Sequence, residues 1–299
     1  MTEKKPIKTT IPEHEVMKPG HLACQGCGAS LAMRYATKAI EGEAMFTLPA
    51  CCWSVIDGPF PYSSLGLPLL HMAFEAAGAT ASGIRAALNM LGQKKVKVIA
   101  WGGDGGTFDI GFQAISGAAE RDEDILYICY DNEAYMNTGI QRSSATPYGA
   151  WTTTTPVKHF EKRPKKDMVE IMAAHKIPYV ANVSVAYPED FVKKVQKALS
   201  MEGFKFIHAF APCPSGWKIK PEDTIKIAKL AVQSKIFPLY EVEYGVKYNL
   251  TVKVPNQVPV LDYLKLQGRF RHLTEEEINI IQKGTDENWD LLMKKIDNK

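Results

Sequence analysis

The sequence predicts an α/β protein built on a mostly parallel sheet with helices on both faces. Three observations predict it. Apolar runs that suit strands alternate with helical patterns from residue 44 to residue 234. Two of those runs, Val96 to Trp101 and Ile125 to Tyr130, end in clusters of small and oxygen-bearing residues. The clusters are Gly102-Gly103-Asp104-Gly105-Gly106 and Asp131-Asn132-Glu133, and open α/β sheets bind ligands in the crevice beyond the carboxyl ends of strands.

The elements follow in order. Residues 1–20 are polar and contain prolines, so they read as an extended arm. After Cys24-Gln25-Gly26-Cys27-Gly28, the stripe Leu31, Ala32, Tyr35, Ala36, Ala39, Ile40 predicts a helix over 29–40. A strand over 44–48 leads to Ala50-Cys51-Cys52-Trp53, and a loop rich in Pro, Gly and Tyr spans 57–70. His71 to Leu91, dense in Ala and Gly, reads as one long helix that packs closely. Strand 96–101, the glycine turn, helix 109–121 and strand 125–130 come next. Residues 132–166 show no period, and a loop this long in a compact domain is usually functional. Helix 167–176, strand 179–184, helix 189–200, strand 206–210 and helix 222–234 complete a domain over 21–235. Residues 236–299 hold two short strand-like runs and an amphipathic helix near 274–295, and read as a C-terminal arm or packing appendage.

The chain has 299 residues, 45% of them hydrophobic and 23% charged, enough for a sizeable core. A net charge of +3 with no long basic stripe argues against nucleic acid as a partner. No apolar run approaches the roughly 18 residues of a membrane span. Met1-Thr2-Glu3-Lys4-Lys5-Pro6 lacks the apolar core of a secretory signal, so the expectation is a cytoplasmic protein without a membrane partner.

In such a compartment the six cysteines suit metal or redox duty better than disulfides. Cys24 and Cys27 alone fit half a zinc site, a thiol redox pair or half an iron–sulfur site. Cys52 follows the first strand and Cys213 the last clear one, so four thiolates converging on one sheet edge is the expected arrangement, which also suits zinc. If Cys52 points in, Cys51 points elsewhere, or the two are reversed. Cys129 lies in an apolar strand and reads as core.

The glycine turn lets backbone approach phosphate oxygens, and Asp104 with Asn132 offers hard oxygen ligands for Mg²⁺. No P-loop lysine follows the turn and it lacks Gly-x-Gly-x-x-Gly. The spacing from Gly105 to Asn132 resembles the thiamine diphosphate motif, in which the Asp side chain, the Asn side chain and a carbonyl two residues on hold Mg²⁺ against the diphosphate. Here those positions are Asp104, Asn132 and Ala134.

With Gly20-His21 through Gly28, Asp109-Ile110-Gly111, Tyr127 through Gly139, Gln141 through Pro147 and Ala211-Pro212-Cys213-Pro214, the chain resembles the β subunit of 2-oxoacid:ferredoxin oxidoreductases, the pyruvate enzyme above all. The resemblance covers most of residues 20–270. It implies that Cys24, Cys27, Cys52 and Cys213 ligate a [4Fe–4S] cluster, and that Gly28, Gly103, Gly105, Gly106, Met136, Asn137 and Thr138 surround the cofactor. Asn137 then lies near the substrate. Arg142 either grips a substrate carboxylate or orders its loop. His71 contacts the cofactor or packs locally, and Glu75 reads as structural. The basic run Lys158 to Lys166 reads as a solvated or subunit-facing face, with coenzyme A phosphates as the other reading.

The reaction implied is oxidative decarboxylation of a 2-oxoacid, with coenzyme A taking the acyl group, CO₂ released and two electrons passing through the cluster to ferredoxin. The implied partners are α, γ and δ subunits. The chain departs from the pattern Thr-Gly-Cys then Leu-Glu-Val usual near the pyruvate enzyme, and reads Ala50-Cys51-Cys52 then Trp53-Ser54-Val55. Oxalate, 2-oxobutyrate and branched or aromatic 2-oxoacids therefore stay in the reading. A non-redox thiamine decarboxylase or carboligase and a zinc-binding scaffold are the other two classes weighed.

Overall fold

The structure, a computed structural model, describes residues 9–297. The first part of the expected N-terminal arm, residues 1–8, lies outside the described residues. In chain order the elements are α1 (Gly28–Lys38), β1 (Ala44–Pro49), α2 (Trp53–Ile56), β2 (Leu69–Met72), α3 (Ala77–Met90), β3 (Lys97–Gly103), α4 (Phe112–Glu120) and β4 (Leu126–Asp131). Then come α5 (Met168–Ala174), β5 (Tyr179–Ser184), α6 (Pro188–Ser200), β6 (Lys205–Phe210), α7 (Pro214–Trp217) and α8 (Thr224–Gln233). The last are β7 (Tyr240–Glu243), β8 (Lys247–Leu250), α9 (Val260–Leu264) and α10 (Glu275–Asp297).

The strands form one sheet in the order β2-β1-β3-β4-β6-β5-β7-β8. The first six are parallel, and β7 and β8 join antiparallel. The expected α/β fold with helices on both faces is present. Side-chain alternation explains the two layers: on β3, Ile99 and Trp101 pack with α1, α6 and α8, while Val98 and Ala100 pack with α3, α4 and α5. β4, β5 and β6 are buried along their whole length, as central parallel strands covered on both faces must be. Helix ends follow their local chemistry: α6 opens on Pro188 with Glu189 and Asp190 in its first turn, and Asp167 caps α5 by accepting the Glu170 amide at 3.1 Å.

Two expectations need correction. The long helix over 71–91 is a strand followed by a shorter helix: Leu69 to Met72 pair in parallel with Phe46 to Pro49, and α3 starts at Ala77. A four-residue strand running into an Ala-rich helix gives one unbroken apolar pattern, and periodicity does not divide it. The helix over 109–121 is also two pieces, because Gly106 to Ile110 form a π turn that ends where the Gly111 amide bonds the Gly106 carbonyl at 2.8 Å. Beyond residue 235, β7 extends the sheet from β5, and Leu292 of α10 is buried against the face that holds α5.

Candidate functional site at the carboxyl edge of β1, β3 and β4

The strand order fixes where a ligand fits. β1 is followed by β2 on one side and β3 lies on its other side, so the direction of winding reverses between β1 and β3. Crevices open at such switch points. A cavity of about 390 Å³ lies there, lined by Ala50, Cys51, Cys52, Ser54 and Val55 after β1, Gly103 to Gly106 after β3, and Asn132, Ala134 and Tyr135 to Thr138 after β4. A larger cleft of about 730 Å³ lies over α6 and β8 and contains none of the expected site residues.

Asp104 is buried at the cavity floor. The Ser143 hydroxyl donates to its Oδ2 at 2.6 Å, and the Asn132 amide N–H approaches its Oδ1 at 3.4 Å. Burial, and then the charge of Asp131, push the Asp104 carboxyl well above the usual range. A cation beside it would favour the ionised form.

The Asn132 side chain can be turned two ways, as amides generally can. One turn makes its nitrogen a donor to Asp104 Oδ1 at 2.9 Å and to the Ala134 carbonyl at 3.1 Å. The other puts its oxygen among those same two acceptors, with its nitrogen 3.6 Å from the Cys52 sulfur. Three converging oxygens, one of them a carboxylate, are a hard-cation donor set, so these residues fit Mg²⁺.

Gly105 is there because nothing else fits: a Cβ would stand 2.2 Å from the Tyr135 ring. That ring is fixed by its hydroxyl, which donates to Asp109 Oδ2 at 2.6 Å, and by an edge contact with Phe74. Asp109 also receives the Ser144 amide at 3.2 Å, tying the long loop to the π turn.

The cysteines are all free thiols. Three contacts assemble their elements. The Trp53 indole donates to the Ala29 carbonyl at 3.0 Å, joining the Cys52 end of α2 to the Cys27 end of α1. The Gly28 amide donates to the Pro212 carbonyl at 3.1 Å, joining Cys27 to Cys213. The Thr224 hydroxyl holds the Gly26 carbonyl at 2.7 Å.

Burial pushes the Cys52 thiol up to about 12, with Cys51 and Cys213 adding to the rise. Burial also takes Cys213 up to about 11; the Gly216 amide, donating to its sulfur at 3.4 Å, opposes this, while Cys27 and Cys24 add to it. Such thiols stay protonated at neutral pH unless metal displaces the proton, which is the chemistry of a thiolate-held metal group. Partly buried Cys27, Cys52 and Cys213, with exposed Cys24, are free and near enough to shift one another, so they fit one. Among the described residues, no three His, Cys, Asp or Glu side chains gather as tightly as a single metal ion needs.

Other expected residues sit elsewhere. Gly28 does not line the cavity; a Cβ there would lie 2.7 Å from the Pro212 carbonyl oxygen and the Ala211 carbonyl carbon. Arg142 is outside the cavity too, with its Nε donating to Glu161 Oε2 at 2.6 Å, a contact that orders its loop. His71, on β2, lies 3.5 Å from Asp57 Oδ2. Cys129 is fully buried in the core. The basic run is not wholly solvated: Lys165 pairs with Asp131 and with Glu133 Oε1 (2.8 Å), and Lys166 bonds the Phe108 carbonyl. Ser143 and Lys165 lie in segments that the sequence marks, the 141–147 motif and the basic run, but without these roles; no sequence signal marks His208, Trp217 or Arg269, which hold the site from distant segments.

Glycines, an acidic residue and an amide thus gather at the switch point of a parallel sheet, where α/β proteins bind their ligands. Residues 59–209 match the family described as thiamine pyrophosphate enzyme, C-terminal TPP binding domain. The chain is 54% identical over 297 residues to the ketoisovalerate oxidoreductase subunit VorB of Pyrococcus abyssi, covering 96% of this chain and 95% of that one. It is 54% identical over 296 residues to the pyruvate synthase subunit PorB of Methanocaldococcus jannaschii, covering 96% and 99%. Its fold is similar to a solved 2-oxoglutarate:ferredoxin oxidoreductase from Magnetococcus marinus (TM-score 0.58, 20% identity, 72% of this chain and 79% of that one). The chain belongs to the thiamine diphosphate-binding β subunits of 2-oxoacid:ferredoxin oxidoreductases. Among the described residues no helix is long and apolar enough to cross a membrane.

Proposed function

We propose that this subunit oxidatively decarboxylates pyruvate in a complex with α, γ and δ subunits, forming acetyl-CoA and CO₂ and reducing two ferredoxins by one electron each. The observation that carries the reading is the meeting, in one crevice, of the Asp104–Asn132–Ala134 oxygens with Cys52. The first set suits Mg²⁺ and a diphosphate; the second belongs to a thiolate group suited to [4Fe–4S].

Bound thiamine diphosphate supplies the carbon nucleophile and electron sink, and an iron–sulfur cluster supplies a one-electron outlet. The chain's residues do the rest. Asp104, Asn132 and the Ala134 carbonyl hold the cation. Gly103, Gly105 and Gly106 leave room for phosphate, and Met136 and Thr138 line the same cavity. Asn137, also in the lining, orients the 2-oxoacid by hydrogen bonding. Cys24, Cys27, Cys52 and Cys213 hold the cluster and a largely apolar surround excludes water.

A second substrate reading is 2-oxoisovalerate, favoured by the 54% identity to a ketoisovalerate oxidoreductase subunit. The test is a panel of 2-oxoacids on the anaerobically purified complex, scored by coenzyme A-dependent ferredoxin reduction, together with iron and sulfide analysis. Pyruvate should lead; dominance of 2-oxoisovalerate selects the second reading, and absence of iron overturns the redox role.

A further inference from the structure

The loop carrying the proposed cation ligands has an unusual backbone. Glu133 stands between Asn132, which offers a side-chain oxygen, and Ala134, which offers a carbonyl, and its φ is +66°. That left-handed conformation is uncommon for a residue with a side chain and persists where surrounding structure enforces it. It also turns the chain so that the Asn132 side chain and the Ala134 carbonyl reach the same point, 3.1 Å apart.

What enforces it is a buried set of charges from distant parts of the chain. Glu133 is 4% exposed. Its Oε1 accepts from Lys165 at 2.8 Å and its Oε2 from Arg269 at 2.5 Å. Arg269 is itself buried, with its Nε donating to Gln267 Oε1 at 3.0 Å and its guanidinium 3.8 Å from the Trp217 ring. The Trp217 indole donates to the Asn132 carbonyl at 2.7 Å. The Thr146 hydroxyl donates to the Glu133 carbonyl at 2.9 Å, and the Glu133 amide to Asp131 Oδ1 at 2.9 Å. Lys165 also pairs with Asp131, whose Oδ2 lies 2.6 Å from His208 Nε2. Every polar group of Glu133 is therefore held.

We propose that Glu133 is a positioning residue for the cation and diphosphate, clamped by Lys165 and Arg269 so that Asn132 and Ala134 present their oxygens together. The inference rests on the assignment of those two residues and Asp104 as cation ligands. It gives the segment after residue 235 a part in the site, because Arg269 lies in it.

The test uses the assembled complex stripped of cofactor, and reads the Mg²⁺ concentration needed for thiamine diphosphate binding by calorimetry. Glu133→Gly keeps the left-handed backbone at no cost and removes the clamp. It should raise the half-saturating Mg²⁺ concentration about 10- to 100-fold, the usual penalty for losing support behind a metal ligand. Glu133→Gln with Arg269→Gln replaces the buried ion pair by two neutral amides, and covers the case where uncompensated charge blocks folding of the glycine variant. Melting of the stripped complex separates binding from stability. Asp104→Asn, a direct ligand change, is the reference. If Asp104→Asn raises the Mg²⁺ requirement while the Glu133 variants stay within about twofold of the parent, the clamp is overturned and the ligand assignment stands. If Asp104→Asn also leaves it unchanged, the ligand assignment falls and the clamp with it.

Discussion

Asn132 and Cys52, eighty positions apart, meet with the amide nitrogen 3.6 Å from the sulfur. The same amide has its oxygen beside Asp104 and Ala134 in that orientation. One side chain thus faces both proposed cofactors.

Asn132→Asp tests that arrangement. It keeps an oxygen for the cation but loses the N–H aimed at Cys52. Thiamine diphosphate binding should be retained, and the midpoint potential of the cluster, followed by EPR during a redox titration, should fall. Loss of a donor and gain of a negative charge act in the same direction on a cluster potential. An unmoved potential would mean that the contact does not exist in the loaded complex.

Gly105→Ala should abolish cofactor binding. The new methyl meets the Tyr135 ring at 2.2 Å, and that ring is pinned by Asp109 and Phe74. Overpacking of this kind costs about 1–3 kcal/mol. Calorimetry with thiamine diphosphate and a melting curve check both effects.

Gly28→Ala should remove iron while sparing thiamine diphosphate. Its methyl would sit 2.7 Å from backbone atoms of Ala211 and Pro212, prising Cys27 from Cys213, and it lies outside the cavity. Iron per chain and calorimetry give the two readings; parallel loss of both would make Gly28 a part of the whole edge.

Acid stability has a contribution from Glu241 on β7. Burial raises its carboxyl, but hydrogen bonds from Lys197, Tyr179 and Asn249 outweigh this and hold it below the ordinary range. The folded chain then binds fewer protons there than the unfolded one. The stabilisation is present above the unfolded value of about 4.3 and is lost as pH falls through the lowered folded value. Glu241→Gln should flatten the acid limb of a melting-temperature profile between about pH 5 and pH 3.

The parallel sheet was legible because alternation of apolar runs and helical stretches is a local pattern. β5 lies at the predicted positions, and the ends of β3 and β4 carry Asp104 and Asn132 where the sequence places them. β2 was not legible, since its four residues merge with the apolar pattern of α3. In the site, the glycine turn, the amide and the four cysteines stand out by residue type and spacing. Arg269 does not, because an arginine becomes a site residue only through a contact made across the fold. Arg269 reaches Glu133 over 136 positions, and no window of sequence contains both.

The Gly28–Pro212 hydrogen bond has a consequence for how the protein is made. It brings Cys27 beside Cys213, so the four thiols come from the segments that flank β1 and from the turn after β6. A nascent chain has three of them once residue 52 has emerged, and lacks the fourth until nearly three-quarters of the polypeptide exists. A cluster spanning them would act as a cross-link closing a loop of almost two hundred residues, and such closures withdraw much freedom from the unfolded chain. A subunit that held such a cluster would therefore resist unfolding more than one without it.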